Sequence, residues 1–268
     1  MELHYIEIPL KTSTEDVVIY ALSDTHIGHI NHDEKKFDAA INEIKANPRA
    51  KVLIMGDIAD KRDYKHKFFD PDQQAPIARK NFIYQCYKLF KNKIKPIKNQ
   101  IIGMHCGNHD MSGSDTHYVE EICADLNIKY LGYRAITILR THHKNCCRAK
   151  TSFTIFSTHG SGGGRNNGSK INRIEQEALS TEADIYMQGH NHFLNHTQGI
   201  VHKPVLYNGV VRIHEKQKLF VNCGSFLKSY QEGNYTYSEK ASYRPQPTGY
   251  VKITINPLKK TIKCEELT

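Results

Sequence analysis

The chain has 268 residues, a formal net charge of +9 and a pI near 9.1. That length suffices for a substantial core, and no stretch approaches the roughly 20 consecutive apolar residues of a membrane span. Met1-Glu2-Leu3-His4-Tyr5 has neither a basic nor an apolar leader character, and seven cysteines without a C-x-x-C pair suit a reducing compartment, so a soluble cytoplasmic protein is expected.

Residues 2 to 8 alternate polar and apolar, the pattern of an edge or half-buried strand. Val17 to Leu22 is a short apolar run that predicts a buried strand, and Asp24-Thr25-His26-Ile27-Gly28 follows it. Phe37, Ala40, Ile41 and Ile44 then recur at helical spacing behind Asp33 as a cap, and Asn47-Pro48 ends the pattern. A second buried strand, Val52 to Met55, leads into Gly56-Asp57-Ile58-Ala59-Asp60. Strand, helix, strand in this order implies a parallel α/β unit.

An insertion separates Asp60 from Gln100. It begins with Lys61, Arg62, Lys65 and Lys67 and continues as a helix in which Ala78, Phe82, Leu89 and Phe90 can face the core. Its other face is basic, with Lys88, Lys91, Lys93, Lys95 and Lys98 nearby, and either lysine group could line a track for a phosphate backbone or simply be solvated. The strand at Gln100 to Ile102 precedes Gly107-Asn108-His109-Asp110. Residues 115 to 126 predict a helix capped by Asp115, with Val119, Ile122, Cys123 and Leu126 as its apolar stripe.

Residues 135 to 140 and 151 to 157 predict two strands. The loop between them carries His142, His143, Cys146 and Cys147, donors suited to zinc but equally ordinary at a hairpin tip. Thr158-His159-Gly160 opens a glycine-rich lip to Gly168 that lacks the Gly-Lys-Ser/Thr ending of a P-loop. A short helix follows, with Ile171, Ile174 and Ala178 on one face, then a strand from Asp184 to Met187 and the block Gly189-His190-Asn191-His192. The runs 205 to 213, 218 to 223 and 248 to 255 read as strands, and Tyr230, Tyr235, Tyr237 and Tyr243 either stack bases or pack on a sheet edge.

Five polar blocks thus stand just past strand ends, where open α/β sheets gather their ligands. Carboxylate and amide oxygens beside imidazole nitrogens are what a pair of divalent transition ions requires. The series D-x-H-x-G, G-D-x-x-D, G-N-H-D, a lone His before a small residue, and G-H-x-H resembles the calcineurin-like metallophosphoesterase superfamily over roughly residues 17 to 225, in particular its compact stand-alone phage and bacterial type. The resemblance implies an α/β fold, a four-layer sandwich of two mixed β-sheets flanked by helices. It would occupy residues 1–268 as a single domain, with 226–268 a C-terminal appendage to the sheet.

The resemblance also implies roles. Asp24, His26 and His192 would ligate one ion, Asn108, His159 and His190 the other, and Asp57 would bridge them. Manganese is the expected metal, with iron, zinc and nickel as alternatives. A water shared by the ions would attack phosphorus while His109 protonates the leaving group, Asp110 orients His109, and Asp60 and Asn191 support the ligands from behind. The expected function is a phosphodiesterase on nucleic acid or a linear or cyclic nucleotide. The alternatives are a phosphomonoesterase or protein phosphatase, or a non-catalytic metal-dependent nucleic-acid clamp.

Overall fold

The computed structural model describes residues 1–60, 71, 74–77, 80–111, 117–145, 150–164, 166–233 and 235–268, with Tyr237 described by its backbone alone. The basic run 61–67, Ala78, the expected cap Asp115, and Cys146 and Cys147 of the possible zinc loop lie outside the described residues.

Among the described residues, eleven strands form two mixed sheets. The first runs β1 (Glu2–Pro9), β5 (Arg134–His142), β6 (Thr151–Thr158), β7 (Ile185–Gln188), β9 (Val210–Cys223), β8 (Leu194–Tyr207). The second runs β11 (Thr261–Leu267), β10 (Tyr250–Asn256), β2 (Val17–Leu22), β3 (Lys51–Ile54), β4 (Ile101–Met104). The predicted α/β unit is present: β2 and β3 pair in parallel across α1 (Glu34–Ala46). Asp33 caps α1 by accepting from the Lys36 amide, and Phe37, Ala40, Ile41 and Ile44 are buried.

Strand alternation decides what packs on each face. Ile19 and Ala21 of β2, Leu53 of β3, and Val251, Ile253 and Ile255 of β10 meet Ala135, Leu139, Ile155, Ile185 and Leu219 of the first sheet in one buried cluster, so the two sheets stack face to face. Tyr20, Leu22, Val52 and Ile54 point the other way, onto α1, α2 (Phe82–Ile94) and α3 (Tyr118–Leu126). On the outer face of the first sheet, Ile174 of α4 (Asn167–Glu177) packs on Phe156 and Tyr186. The α3 stripe, Val119, Ile122, Cys123 and Leu126, is buried as its spacing predicts.

The run 205 to 213 is not one strand. Asn208 and Gly209 both have positive φ, 49° and 77°, as a two-residue type I′ turn requires, and they join β8 to β9 in a ribbon of two 14-residue strands. The Asn-Gly pair carried that signal, and the apolar residues on either side hid it. Along the distal ribbon the exposed side chains of Ile200, Leu206, Val211 and Ile213 share one face, because Leu206 pairs with Val211 and the others follow at even spacing. No helix among the described residues is long and apolar enough to cross a membrane.

His105 ties the two sheets together. It follows β4 of the second sheet, is fully buried, sets Nδ1 against the Gly132 carbonyl at 3.1 Å, and places Nε2 2.8 Å from the Ser157 hydroxyl of β6. Burial pushes its imidazole down to about 3. Because the folded-state value lies below the ordinary 6.5, the unfolded chain takes the proton first as the solution is acidified. His105 therefore contributes full stability above about pH 6.5 and loses up to about 1.4 kcal/mol per pH unit from there toward pH 3. Urea midpoints between pH 7.5 and 4.5 should fall more steeply for the wild type than for His105→Gln; equal slopes would refute this.

Candidate metal centre

Loops from both sheets meet at one end of the stack. β2, β3 and β4 are mutually parallel and deliver Asp24 and His26, Asp57, and Asn108 just past their carboxyl ends. In the other sheet β6 and β7 are parallel and deliver His159, then His190 and His192. Backbone bonds lace the loops together: Asp24 and His26 donate to the Gly56 and Asp57 carbonyls, at 3.1 and 3.0 Å, and Gly189 donates to the His159 carbonyl at 3.1 Å.

Five of the seven proposed ligands, Asp24, His26, Asp57, His190 and His192, have φ between 46° and 66°. Non-glycine residues hold this left-handed conformation only where the surroundings over-determine it, and such strain gathers at functional sites. The space is equally constrained. A Cβ at Gly107 would overlap the Asp57 carboxylate, and one at Gly56 (φ 95°) would come within 2.7 Å of His159 Nδ1 and the Gly107 amide.

The donor atoms form overlapping groups. Those of Asp24, His26 and His192 lie within 4.8 Å of one another, as do those of Asp57, His159 and His190. Asp57 Oδ2 stands 3.8 Å from His26 Nε2 of the first group and 3.2 Å from His159 Nε2 of the second, the position a shared ligand needs. Asn108 Oδ1 joins the second group, 3.2 Å from His159 Nε2 and 2.7 Å from His190 Nδ1.

Neighbouring groups take up the atoms that face away. Asp24 Oδ2 accepts from the His190 amide at 2.9 Å and from the Ser23 hydroxyl, while Oδ1 is buried without a hydrogen bond and faces His192 Nε2 at 3.3 Å. Asp57 Oδ1 accepts from the His109 amide at 2.8 Å. His159 Nδ1 donates to the Met55 carbonyl at 2.7 Å, so Nε2 is the nitrogen that faces Asp57 and that a cation would take once its proton leaves. An orphaned carboxylate oxygen, and His26 Nε2 and His192 Nε2 converging to 3.1 Å, fit an intervening cation.

The titration of these groups points the same way. Burial opposes charge on Asp57 and Asp24, yet His159 beside the first and His192 beside the second hold both carboxyls below the usual range. Burial also opposes charge on His159, but Asp57 outweighs it and raises the imidazole to about 10. His26, where burial dominates, is pushed down to about 4. Two buried carboxylates thus retain a proton on His159 as their counter-charge, the place a metal cation would take.

His109 and its partner differ from expectation. The carboxylate on His109 Nδ1 is Asp60, at 3.0 Å, and not Asp110. Asp110 is buried and braces the site from beneath, accepting from the Gly107 amide at 2.8 Å, the Ile58 amide at 3.1 Å and the Tyr87 hydroxyl at 2.8 Å. Burial and then the nearby Asp57 charge raise its carboxyl to about 6. In the turn after Asn108, adjacency along the chain turns Asp110 toward the backbone while Asp60, 49 positions away, comes to the ring. His109 also lies within 4.8 Å of the donors of His26 and Asp57. Asn191 donates to Asn222 Oδ1 at 2.8 Å and accepts from the Phe193 amide at 3.0 Å.

The donors open into a cleft of about 420 Å³ that is also lined by Gly162 to Gly164 of the glycine-rich lip, by Lys170, and by Leu227, Ser229, Ser238, Tyr243, Arg244 and Gln246. The lip and Tyr243 are legible in the sequence; Lys170, Arg244 and the rest of this lining are not. Tyr230 reaches the Tyr243 carbonyl at 2.8 Å, and Tyr235 lies under the Lys240 ammonium at 4.0 Å. Of the two lysine groups, Lys61 to Lys67 lie outside the described residues, and most of the second group is placed by α2 and β4. Lys95 and Lys98 precede β4 and so stand at the opposite end of that strand from Asn108, while Lys93 is paired with Glu34 (2.8 Å) and Asp38 (2.6 Å), and Lys91 with Asp125.

No family model and no curated protein matches the chain. Among solved structures it is similar to a Thermotoga maritima protein determined by NMR in solution, at 15% identity over 94% of this chain and 99% of that one, with a TM-score of 0.37. It is also similar to Vps29 of Chaetomium thermophilum, at 13% identity over 94% and 93%, with a TM-score of 0.40. These are distant likenesses that carry no residue roles.

Proposed function

We propose that the protein is a binuclear metal-dependent phosphoesterase of the calcineurin-like kind, and that it acts on phosphodiesters of nucleic acid or a nucleotide. The observation that carries this reading is the place of Asp57 Oδ2 between two oxygen and nitrogen donor sets, in a cleft beside His109. Asp24, His26 and His192 would hold one divalent ion, Asn108, His159 and His190 the other, and Asp57 both. Bound there, the ions supply Lewis acidity and an activated water.

The chain's own groups do the rest. The Met55 carbonyl fixes the His159 tautomer, and the His109 amide anchors the Asp57 oxygen that faces away from the donors. Asp60 holds His109 Nδ1, so that the protonated ring can donate to the leaving oxygen through its other nitrogen.

The test compares bis-p-nitrophenyl phosphate with p-nitrophenyl phosphate in metal-stripped protein and after metal addition. Turnover should vanish in chelator and return best with Mn²⁺, because carboxylate and amide oxygens beside imidazoles suit it over Mg²⁺. The diester should be the better substrate. Full activity with a demonstrably empty site, or no turnover of either ester with any divalent metal, would end this reading.

A further inference from the structure

Charge across the cleft is unevenly distributed. Among its described lining residues, Asp57 is the one carboxylate, while Lys170 and Arg244 are the fixed cations. Lys51 of β3 is half-buried without an acidic partner among the described residues, but other buried or half-buried lysines sit against acids: Lys93 at Asp38 (2.6 Å), Lys216 at Asp184 (2.8 Å), Lys218 at Glu182 (2.7 Å). Lys170 does not. It is half-buried, its ammonium lies 5.2 Å over the Phe193 ring, and no carboxylate among the described residues pairs with it. Arg244, which also lines the cleft, is likewise without an acidic partner among them.

Taking an ammonium partly out of water without a counter-ion is unfavourable, and burial lowers the Lys170 pKa accordingly. An arrangement of this kind becomes favourable when an anion arrives between the cations. The phosphate under attack would sit at the donor cluster, where the ions neutralise it, which leaves these two cations of the same cleft for a different anionic group of the same molecule. Tyr243, next to Arg244 and also lining the cleft, adds an aromatic surface of the type on which nucleosides rest.

We propose that Lys170 and Arg244 form a second anion subsite that binds a phosphate other than the one attacked. The substrates would then be phosphodiesters with at least two phosphates, such as a dinucleotide or a short oligonucleotide. This rests on the phosphoesterase reading for the position of the first phosphate.

The measurement is calorimetric binding of adenosine 3′,5′-bisphosphate and adenosine 5′-monophosphate to the protein in Mn²⁺. A charged hydrogen bond in a partly desolvated site corresponds to about 10- to 100-fold in affinity, so the bisphosphate should bind at least about tenfold more tightly. In Lys170→Gln that ratio should collapse toward one. Lys170→Arg should retain it, which separates lost charge from a disturbed α4, and Arg244→Gln should lower it without touching a helix.

Equal binding of the two ligands by the wild type, no binding of either, or a ratio that survives in both Lys170→Gln and Arg244→Gln, would overturn the subsite. Turnover of bis-p-nitrophenyl phosphate is read separately. A protein that shows the ratio but hydrolyses no ester keeps the subsite and loses the hydrolase reading; one that hydrolyses the ester without the ratio does the reverse.

Discussion

Asp57→Asn should lose metal and activity together. Asparagine adopts left-handed backbone readily, so the 49° φ at this position is retained and the substitution removes charge with little else. What disappears is the one carboxylate that faces both donor groups. Loss of a group that merely supports a ligand costs about 10- to 100-fold in metal affinity, and loss of the shared ligand should exceed that. Metal content after dialysis and titration of Mn²⁺ would measure it. In the wild type the affinity should also strengthen with rising pH, since the proton held on His159 must leave as the cation enters. In the variant that dependence should weaken, because the charge that raises the His159 pKa is gone. A variant with wild-type metal content and turnover would remove Asp57 from the centre of the mechanism.

His109→Ala should keep its metal and lose about 10²- to 10⁴-fold in turnover, the usual worth of a general acid. The loss should depend on the leaving group. A nitrophenolate departs without a proton, so the variant should suffer far less on it than on an alkyl or nucleoside ester. Asp60→Asn should act in the same sense but more weakly, because it alters the Nδ1 partner while leaving the ring in place. His109 stands near the donors of His26 and Asp57, so a competing role as a ligand makes its own forecast: metal would fall with rate, and good and poor leaving groups would suffer alike. Metal analysis beside a leaving-group series decides between them.

The features legible in the sequence were those that neighbours along the chain determine. Strand runs of alternating exposure, the α1 and α3 stripes, and the Asp33 cap follow from periodicity, and each appears where its spacing placed it. The polar blocks were legible because each follows a strand directly, so a parallel sheet gathers several of them at one end whatever else the chain does. Where the structure departs from expectation, distance along the chain is the cause. Asp60 rather than Asp110 holds His109, and Lys93 at the end of α2 is paired with Glu34 and Asp38. Lys170 and Arg244, 74 positions apart, line a common cleft that no local pattern announces. Period and turn chemistry are properties of a few consecutive residues, whereas the partner of a side chain depends on which loops the stacked sheets bring into contact. The residue types at the donor cluster were therefore set by the sequence alone, and their partners and the cleft they share with Lys170 and Arg244 by the tertiary fold.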